Sequence, residues 1–267
     1  MLVFLDSDKI KKITEIAFDA GEIAKDYFNK KNFSISIKQD GSKVTSADLA
    51  VSKFINNELK KLSIDLPIVC EEGEMRNFSG DSFWLIDPID GTNSFIEGKI
   101  EFSINIALII NKIPIFGLIY GPLFENGKMA FTNNLKQVIV NNGVKSSLIS
   151  AKEKKQNKSY LKIITGSGAK DEKISEIVKT IYPEFADNFL VERLSSSLKF
   201  IKIIEEKSDI YIHFKETMEW DTAAGQALLE SLKFNVKNLI IEPNQIKIGE
   251  KISYKKHNFI NQPFICF

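Results

Sequence analysis

The sequence is poor in residues that commonly hold zinc, with two cysteines and two histidines among 267 residues. Cys70 and Cys266 lie far apart and form no Cys-x-x-Cys pair. Cys70 sits in an apolar run, which favours a reduced core thiol over a nucleophile. His213 and His257 do not have the spacing of metal ligands, so we do not expect a zinc site.

Long hydrophobic runs are also missing, since no apolar stretch has the length needed to span a membrane. The first six residues are too short for a signal peptide and lack its basic flank. The formal net charge of +1 provides no basic surface for nucleic acid or an anionic membrane. We therefore expect a cytoplasmic protein with no nucleic-acid partner and no stable membrane insertion, and leave peripheral association with the inner membrane face open.

The sequence does contain enough apolar residues, 43% of the total, to bury a substantial core. Apolar residues at helical spacing predict a long helix from Ser7 or Asp8, and residues 83–140 alternate as in a largely antiparallel sheet. After the polar stretch 151–158, strands and helices follow one another, which is typical of an α/β domain. These patterns predict an α+β domain at 1–152 and an α/β domain at 153–267.

The most informative stretch is 83–95, in which an apolar strand leads into Asp87, Pro88, Asp90, Gly91 and Thr92. We expect Pro88 to break the strand, so that the two carboxylates point into one space. Gly91 lets a ligand approach the backbone, and Thr92 offers a hydroxyl beside a free N–H. Such a group suits a divalent cation holding a phosphate, although this pattern is also common in solvent-exposed turns.

Other polar clusters have both a structural and a functional interpretation. Thr45 and Asp48 match a capping box, which does not prevent Asp48 from also facing an active site. The acids at 71–74 follow an apolar strand and could meet those of the neighbouring strand end. The loops at 166–168 and 195–197 could hold a phosphate, but serine is also a common helix N-cap, as is Asp221.

Taken together and in order, three of these segments carry a family resemblance: Glu71-Glu72, Asp87 to Thr92, and Trp220 to Gly225. The set resembles the lithium-sensitive, magnesium-dependent phosphatase superfamily, which includes inositol monophosphatase, fructose-1,6-bisphosphatase and the 3′(2′),5′-bisphosphate nucleotidases. The resemblance implies an inositol-monophosphatase-like αβαβα layered sandwich, of α/β (α+β) class, with the site between an N-terminal α+β and a C-terminal α/β domain.

Within that superfamily, the segments 101–108, 195–200 and 220–227 look like the CysQ-type 3′(2′),5′-bisphosphate nucleotidases. This resemblance implies a Mg²⁺-dependent enzyme that hydrolyses the 3′-phosphate of adenosine 3′,5′-bisphosphate to AMP and phosphate. Asn93 and Ser94 depart from that group and are closer to inositol-phosphatase-like sequences. An inositol monophosphatase or another sugar-phosphate phosphatase is therefore the nearest alternative, and a catalytically idle regulatory protein is an alternative of another class.

The resemblance also implies roles for individual residues around two or three Mg²⁺ ions. Because four converging carboxylates repel one another, such a cluster needs cations. A small phosphorylated molecule is the expected partner, and a homodimer is left open. The implied metal ligands are Glu71, Asp87, Asp90, Asp221 and the carbonyl of Ile89. The implied catalytic residues, which orient a metal-activated water, are Glu71, Thr92 and Asp48. The resemblance further implies that the phosphate is bound by Gly91 and Thr92, and the rest of the substrate by Gly166, Ser167, Ser196 and Lys199.

Overall fold

The computed structural model describes residues 5–73, 78–151, 158–242 and 245–267. The first helix shows how sequence determines the local structure, because the side chain of Asp6 accepts a hydrogen bond from the amide of Lys9 and caps the helix. The α-helices of the described residues are α1 (Ser7–Lys30), α2 (Ser46–Lys60), α3 (Thr92–Ile96), α4 (Asp171–Ile181), α5 (Leu198–Ile204) and α6 (Ala223–Ser231).

The first half of the chain forms a hairpin and a seven-stranded sheet. The hairpin consists of β1 (Ile35–Ile37) and β2 (Lys43–Thr45). In sheet order the strands are β3 (Ile68–Cys70), β4 (Phe83–Asp90), β5 (Ser103–Ile110), β6 (Ile113–Gly121), β7 (Lys128–Thr132), β8 (Val138–Asn141) and β9 (Ser146–Ile149). Only the β3–β4 pair among these neighbours is parallel, so the predicted antiparallel sheet is confirmed.

The second half forms a six-stranded sheet and a short two-stranded one. The larger sheet contains β10 (Leu161–Thr165), β11 (Phe189–Arg193), β12 (Ile210–His213), β14 (Val236–Glu242), β15 (Gln245–Lys251) and β17 (Phe264–Cys266), in the order β11-β10-β12-β17-β14-β15. The small sheet pairs β13 (Thr217–Met218) with β16 (Ile260–Asn261). The strands β11, β10 and β12 are parallel, as the strand–helix alternation predicts.

Alternating side chains of β4 show how the layers stack. Trp84 and Ile86 belong to the core that buries the apolar faces of α1 and α2, whereas Phe83 and Leu85 belong to the core shared with α5 and α6. A third core joins α4 to the far face of the six-stranded sheet. The layers are therefore α1/α2, sheet, α5/α6, sheet and α4, and the predicted αβαβα sandwich is confirmed.

Small residues at the start of α6 let this helix lie close to its neighbours. A side chain on Gly225 would come within 2.3 Å of the Phe200 ring, and one on Gly117 of β6 within 2.2 Å of the Ala224 carbonyl. Because nothing larger than glycine fits at these positions, α6 lies directly against α5 at Gly225 and against the first sheet at Gly117. This contact brings Asp221, just before α6, to the seam between the two sheets.

The predicted domain boundary between residues 152 and 153 lies outside the described residues and stays a prediction. Within the ranges that the structure describes, no helix is both long and apolar enough to cross a membrane.

Candidate metal centre and substrate pocket

Two parallel strands end side by side at the seam. Cys70, the last residue of β3, pairs with Ile86 of β4, and the Glu71 amide donates to the Ile86 carbonyl at 3.1 Å. The next residues, Glu71 and Asp87, therefore emerge beside each other. The sequence predicted this meeting of neighbouring strand ends, and the structure brings the two acids together. Glu74 of the same predicted acidic cluster lies outside the described residues.

The prediction that Pro88 breaks the strand is wrong. Strand β4 runs through Pro88 to Asp90, but Asp87 pairs with Asn105 while Asp90 pairs with Ser103. Three steps along β4 thus oppose two along β5, which is a β-bulge. The extra residue changes the alternation of side chains, so that Asp87 and Asp90 reach the same space without a turn between them. Proline suits this position because a bulge leaves one backbone amide out of the ladder.

The third carboxylate comes from the short 3-10 helix Glu219–Asp221. One oxygen from each of Asp87, Asp90 and Asp221 lies within 4.8 Å of the others. Asp87 is 1% exposed, and its Oδ1 atom is buried without a hydrogen-bond partner among the described residues. A buried carboxylate oxygen without a partner is costly unless a cation binds it. The cluster therefore fits a hard divalent cation, which prefers oxygen ligands.

Burial and repulsion raise the pKa of the two most enclosed acids. Burial, followed by the charges of Glu71, Asp90 and Asp221, raises the pKa of Asp87 well above its usual range. Burial, followed by the charges of Asp90 and Glu71, does the same to the pKa of Asp221. Both effects oppose the ionised state that a metal ligand needs, so a bound cation must offset them.

This electrostatic strain predicts how stability depends on pH. A carboxyl whose pKa is higher in the folded than in the unfolded protein binds more protons when folded, so the free energy of unfolding falls as pH rises above about 4. As the pH rises from about 5 to about 8, we expect the Tm of the protein in EDTA to fall. Over the same range we expect the increase in Tm on adding Mg²⁺ to become larger. Thermal unfolding with and without Mg²⁺ checks this, and an equal gain at both pH values would contradict it.

Two residues that the sequence analysis did not connect with the acidic cluster hold Asp90. The amide and hydroxyl of Ser197 donate to Asp90 Oδ2 at 2.6 and 2.5 Å, and Asn105 Nδ2 approaches the same oxygen at 3.2 Å. Ser197 Oγ also lies 2.9 Å from the Asp221 carbonyl. Ser197 thus links the segments that carry Asp90 and Asp221. A buried asparagine within the apolar strand β5 was the available sequence signal for this function.

Glu71, a predicted metal ligand, pairs with a lysine that the sequence analysis missed. Lys38 of the hairpin donates to Glu71 Oε1 at 2.8 Å and to Glu72 Oε1 at 2.5 Å. Burial alone would lower the pKa of Lys38, but the charges and hydrogen bonds of the two glutamates outweigh burial and raise it. The charge of Glu71 also contributes to the raised pKa of Asp87, but Glu71 is not among the three carboxylates whose oxygens lie within 4.8 Å of one another.

Replacing this lysine tests the competition between Lys38 and a metal for Glu71. We expect Lys38→Met to lower the Kd for Mg²⁺ by about 3- to 10-fold, equivalent to about 1 kcal/mol, because a partly screened positive charge is removed. Titration calorimetry of the protein without substrate measures this change. Lys43→Met, on the exposed part of the same hairpin, is the matched control and should leave the Kd unchanged. Weaker Mg²⁺ binding in Lys38→Met would contradict the competition.

Asp48 caps α2 and also faces the Thr92 hydroxyl, so its placement is compatible with both interpretations of its position in the sequence. It completes the capping box of α2, accepting from the Thr45 amide at 2.9 Å. Its other oxygen lies 3.2 Å from Thr92 Oγ1, which is also 3.1 Å from the carbonyl of Ile89. Asp48 is 1% exposed. A buried carboxylate thus supports the Thr92 hydroxyl at the edge of the acidic cluster.

Gly91 supplies the turn between Asp90 and Thr92. Its φ angle of +90° lies in the left-handed region that favours glycine, and an added Cβ atom would come within 3.0 Å of the Glu101 carbonyl. Thr92 then opens the short helix α3. The structure thus places both predicted phosphate-binding residues beside the acidic cluster.

A pocket of about 260 Å³ adjoins the cluster. All four predicted substrate-binding residues line it, together with Asp90 and Asp221 of the acidic cluster. The lining includes Gly166, Ser167, Ser196 and Lys199, and also the unpredicted Tyr211, His213, Lys215 and Phe264. The structure therefore brings together loops after three parallel strands, in agreement with the usual location of ligands in such sheets.

Lys199 is the principal charge in this pocket. It is 5% exposed, donates to the Ser196 carbonyl and lies over the Tyr211 ring at 5.4 Å. Burial lowers its pKa to about 8, although the charges of Asp90, Asp221 and Glu101 partly oppose this. Burial, followed by the charge of Lys199, lowers the pKa of His213 to about 4. A buried lysine with this environment is suited to bind an anion.

A layered α/β fold with a carboxylate cluster at its seam and a cationic pocket beside it defines a metal-dependent phosphatase. Residues 6–232 match the model of the inositol monophosphatase family. The chain belongs to the inositol monophosphatase family, and it is an enzyme of the phosphatase class.

Individual relatives carry more specific names. A "3′(2′),5′-bisphosphate nucleotidase CysQ" of Buchnera aphidicola is 35% identical over 228 residues, which cover 82% of this chain and 80% of that protein. The protein of the same name from Haemophilus influenzae is 28% identical, covering 94% and 96%. The crystal structure of CysQ from Bacteroides thetaiotaomicron has a TM-score of 0.76 at 25% identity, with 97% of each chain covered.

Proposed function

We propose that this protein hydrolyses the 3′-phosphate of adenosine 3′,5′-bisphosphate, giving AMP and phosphate, with Mg²⁺ as its cofactor. The observation that carries the proposal is the pocket in which the buried Lys199 lies beside the acidic cluster, because it offers two separate positions for anionic groups. A substrate with two phosphates matches both positions. The names of the relatives support the same substrate class.

In this proposal Asp87, Asp90 and Asp221 hold Mg²⁺, and Glu71 and the Ile89 carbonyl complete the ligand set for two or three ions. Bound Mg²⁺ supplies positive charge that polarises the phosphate and acidifies a water molecule. The protein contributes the ordering of its ligands, because Ser197 and Asn105 fix the Asp90 carboxylate. Such supporting hydrogen bonds commonly tune metal affinity.

The protein groups that handle the proton are Glu71, Thr92 and Asp48. The Thr92 hydroxyl donates towards Asp48 and can accept a hydrogen bond from the attacking water, so its orientation is fixed by a buried carboxylate. The water oxygen bonds to phosphorus as the bond to the ribose 3′ oxygen breaks. The proton of that water moves towards Glu71 or the Thr92–Asp48 pair, the departing 3′ oxygen takes a proton from solvent water to become the ribose hydroxyl, and Gly91 and Thr92 hold the released phosphate.

The second phosphate is assigned to Lys199 and Ser196, and the nucleoside to the loop at Gly166 and Ser167. Lys199 brings a point charge that is already desolvated, so little further burial is needed when an anion binds. The adjoining ring of Tyr211 lies within the same pocket, as does Phe264, and both offer apolar contact to a base.

A substrate comparison tests the proposal. With Mg²⁺ present, phosphate release should be fastest from adenosine 3′,5′-bisphosphate, and Lys199→Met should raise KM for it by about 10- to 100-fold through loss of a charged hydrogen bond. The same substitution should leave KM for adenosine 3′-monophosphate within about twofold. Lys162→Met, at a partly exposed position of the neighbouring strand β10, is the control.

The outcome decides among the alternatives. Faster release from inositol 1-phosphate or fructose 1,6-bisphosphate would replace the nucleotide with a sugar phosphate. Absence of hydrolysis from every substrate in a metal-replete protein would favour the regulatory alternative. The cytoplasmic location and the homodimer remain predictions.

A further inference from the structure

The segment that carries Asp221 is a tight turn, residues 217–222, which we call the Asp221 turn. Within it, the Met218 amide donates to Asp221 Oδ2 at 2.8 Å, and the Thr222 hydroxyl donates to the Glu219 carbonyl at 3.2 Å. These bonds are internal to the turn and do not attach it to the rest of the protein. Contacts from other parts of the chain attach the turn: Ser197 Oγ lies 2.9 Å from the Asp221 carbonyl, and the Lys255 and Lys256 amides donate to the Glu219 carboxylate at 2.8 Å.

One such contact comes from the C-terminal segment. Strand β16 pairs with β13 at the start of the turn, with Asn261 opposite Thr217 and Ile260 opposite Met218. The side chain of Asn261 is fully buried. A backbone pairing only two residues long is a weak attachment, so the buried side chain gains importance.

The amide of Asn261 joins the two ends of the Asp221 turn. Its Nδ2 atom lies 3.0 Å from the Met218 carbonyl and 2.8 Å from Thr222 Oγ1. A third oxygen, Thr217 Oγ1, lies at 3.3 Å. The Met218 carbonyl can only accept, which fixes the amide with its nitrogen facing the turn. One side chain thus bridges the residues before and after Asp221.

We infer that Asn261 is a positioning residue for Asp221, an inference that rests on the proposed function of Asp221 as a metal ligand. Without the amide, the Met218 carbonyl and the Thr222 hydroxyl lose a buried partner, and the turn gains freedom to move the carboxylate away from Asp87 and Asp90. Loss of a supporting hydrogen bond of this kind typically lowers metal affinity by about 10- to 100-fold.

The experiment measures Mn²⁺ binding to the full chain without substrate, by titration calorimetry. Asn261→Ala should raise the Kd for Mn²⁺ by about 10- to 100-fold. Thr222→Val keeps the side-chain volume and should raise the Kd in the same direction, because it removes one end of the bridge together with the hydroxyl's contacts to the Glu219 carbonyl and the Tyr254 hydroxyl. The double variant should show less than the sum of the two effects, because both changes break the hydrogen bond between Asn261 and Thr222.

The control is Ile265→Ala, in the same C-terminal segment, where a fully buried side chain is shortened without touching the Asp221 turn. It should lower the Tm and leave the Kd within about twofold of wild type. An unchanged Kd in Thr222→Val, or an equal rise in Ile265→Ala, would overturn the positioning role. Wild-type protein that binds no Mn²⁺ would instead overturn the proposed metal function on which the inference rests.

Discussion

Replacing Asp87 with asparagine should abolish Mg²⁺-dependent hydrolysis while making the metal-free protein more stable. Asp87 is 1% exposed, its Oδ1 atom has no hydrogen-bond partner within the described part of the chain, and burial together with the neighbouring acids raises its pKa. The asparagine side chain would be neutral and could donate to Asp90 or Asp221, so we expect the free energy of unfolding in EDTA to rise by about 1–3 kcal/mol. Loss of a central ligand should reduce kcat/KM at least about 1000-fold, equivalent to about 4 kcal/mol.

Denaturant unfolding in EDTA and in Mg²⁺, together with phosphate release, measures the two effects separately. The variant Asp87→Asn should show higher stability in EDTA and no further gain from Mg²⁺, whereas wild type gains from the metal. Asp19→Asn, an exposed acid on α1, is the matched control and should behave as wild type. Retained activity with Mg²⁺, or lower stability in EDTA, would be incompatible with Asp87 as a buried metal ligand.

The second large effect concerns proton handling. Asp48→Asn should lower kcat by about 10²- to 10⁴-fold, because the Thr92 hydroxyl loses its ionised acceptor. The Mg²⁺ concentration for half-maximal rate should stay within a few-fold of wild type, since Asp48 is not among the three clustered aspartates. An asparagine oxygen can still accept from the Thr45 amide, so the cost to the capping box is expected to stay near 1 kcal/mol.

Steady-state kinetics at several Mg²⁺ concentrations separates the effect on kcat from the effect on the Mg²⁺ concentration for half-maximal rate. Glu58→Gln, on the partly exposed side of the same helix, is the control and should keep wild-type kcat. If Asp48→Asn acted only by raising the Mg²⁺ requirement, Asp48 would belong to the metal centre and not to the proton pathway.

The helices, the strands and the acidic motifs were predictable because they depend on local patterns. Alternation in β4 to β8, the capping box at Thr45 and the order of the acidic motifs each lie within a short stretch of chain. A resemblance that joins three such motifs also predicts the layered fold, since the spacing of the motifs follows from the fold. The confirmed parts of the prediction are therefore those that local sequence determines.

The β-bulge between Asp87 and Asp90 was missed for a physical reason. A proline after the first aspartate suggests a turn when β4 is considered alone, and only pairing with β5 shows that the strand continues. Asn105 and Ser197 hold Asp90 from segments distant in sequence, so their function depends on topology. Such long-range contacts leave no periodic pattern of apolar and polar residues in the sequence, so the sequence alone does not predict them.

The same limit applies to Lys38 and to Asn261. Lys38 looks like one of many solvent-facing lysines until the hairpin brings it against Glu71. Asn261 lies near the end of the chain, in a short segment that has no helical or alternating pattern, and its significance depends on the Asp221 turn. Both residues act through contacts that exist only in the folded protein.

We propose that acids from separate segments bind metal together at the seam of the two sheets. Anomalous diffraction from crystals grown with Mn²⁺ tests this proposal most directly. We expect at least one strong anomalous peak with oxygens of Asp87, Asp90 and Asp221 in its coordination sphere. Crystals saturated with Mn²⁺ that show no peak among these three carboxylates would contradict it.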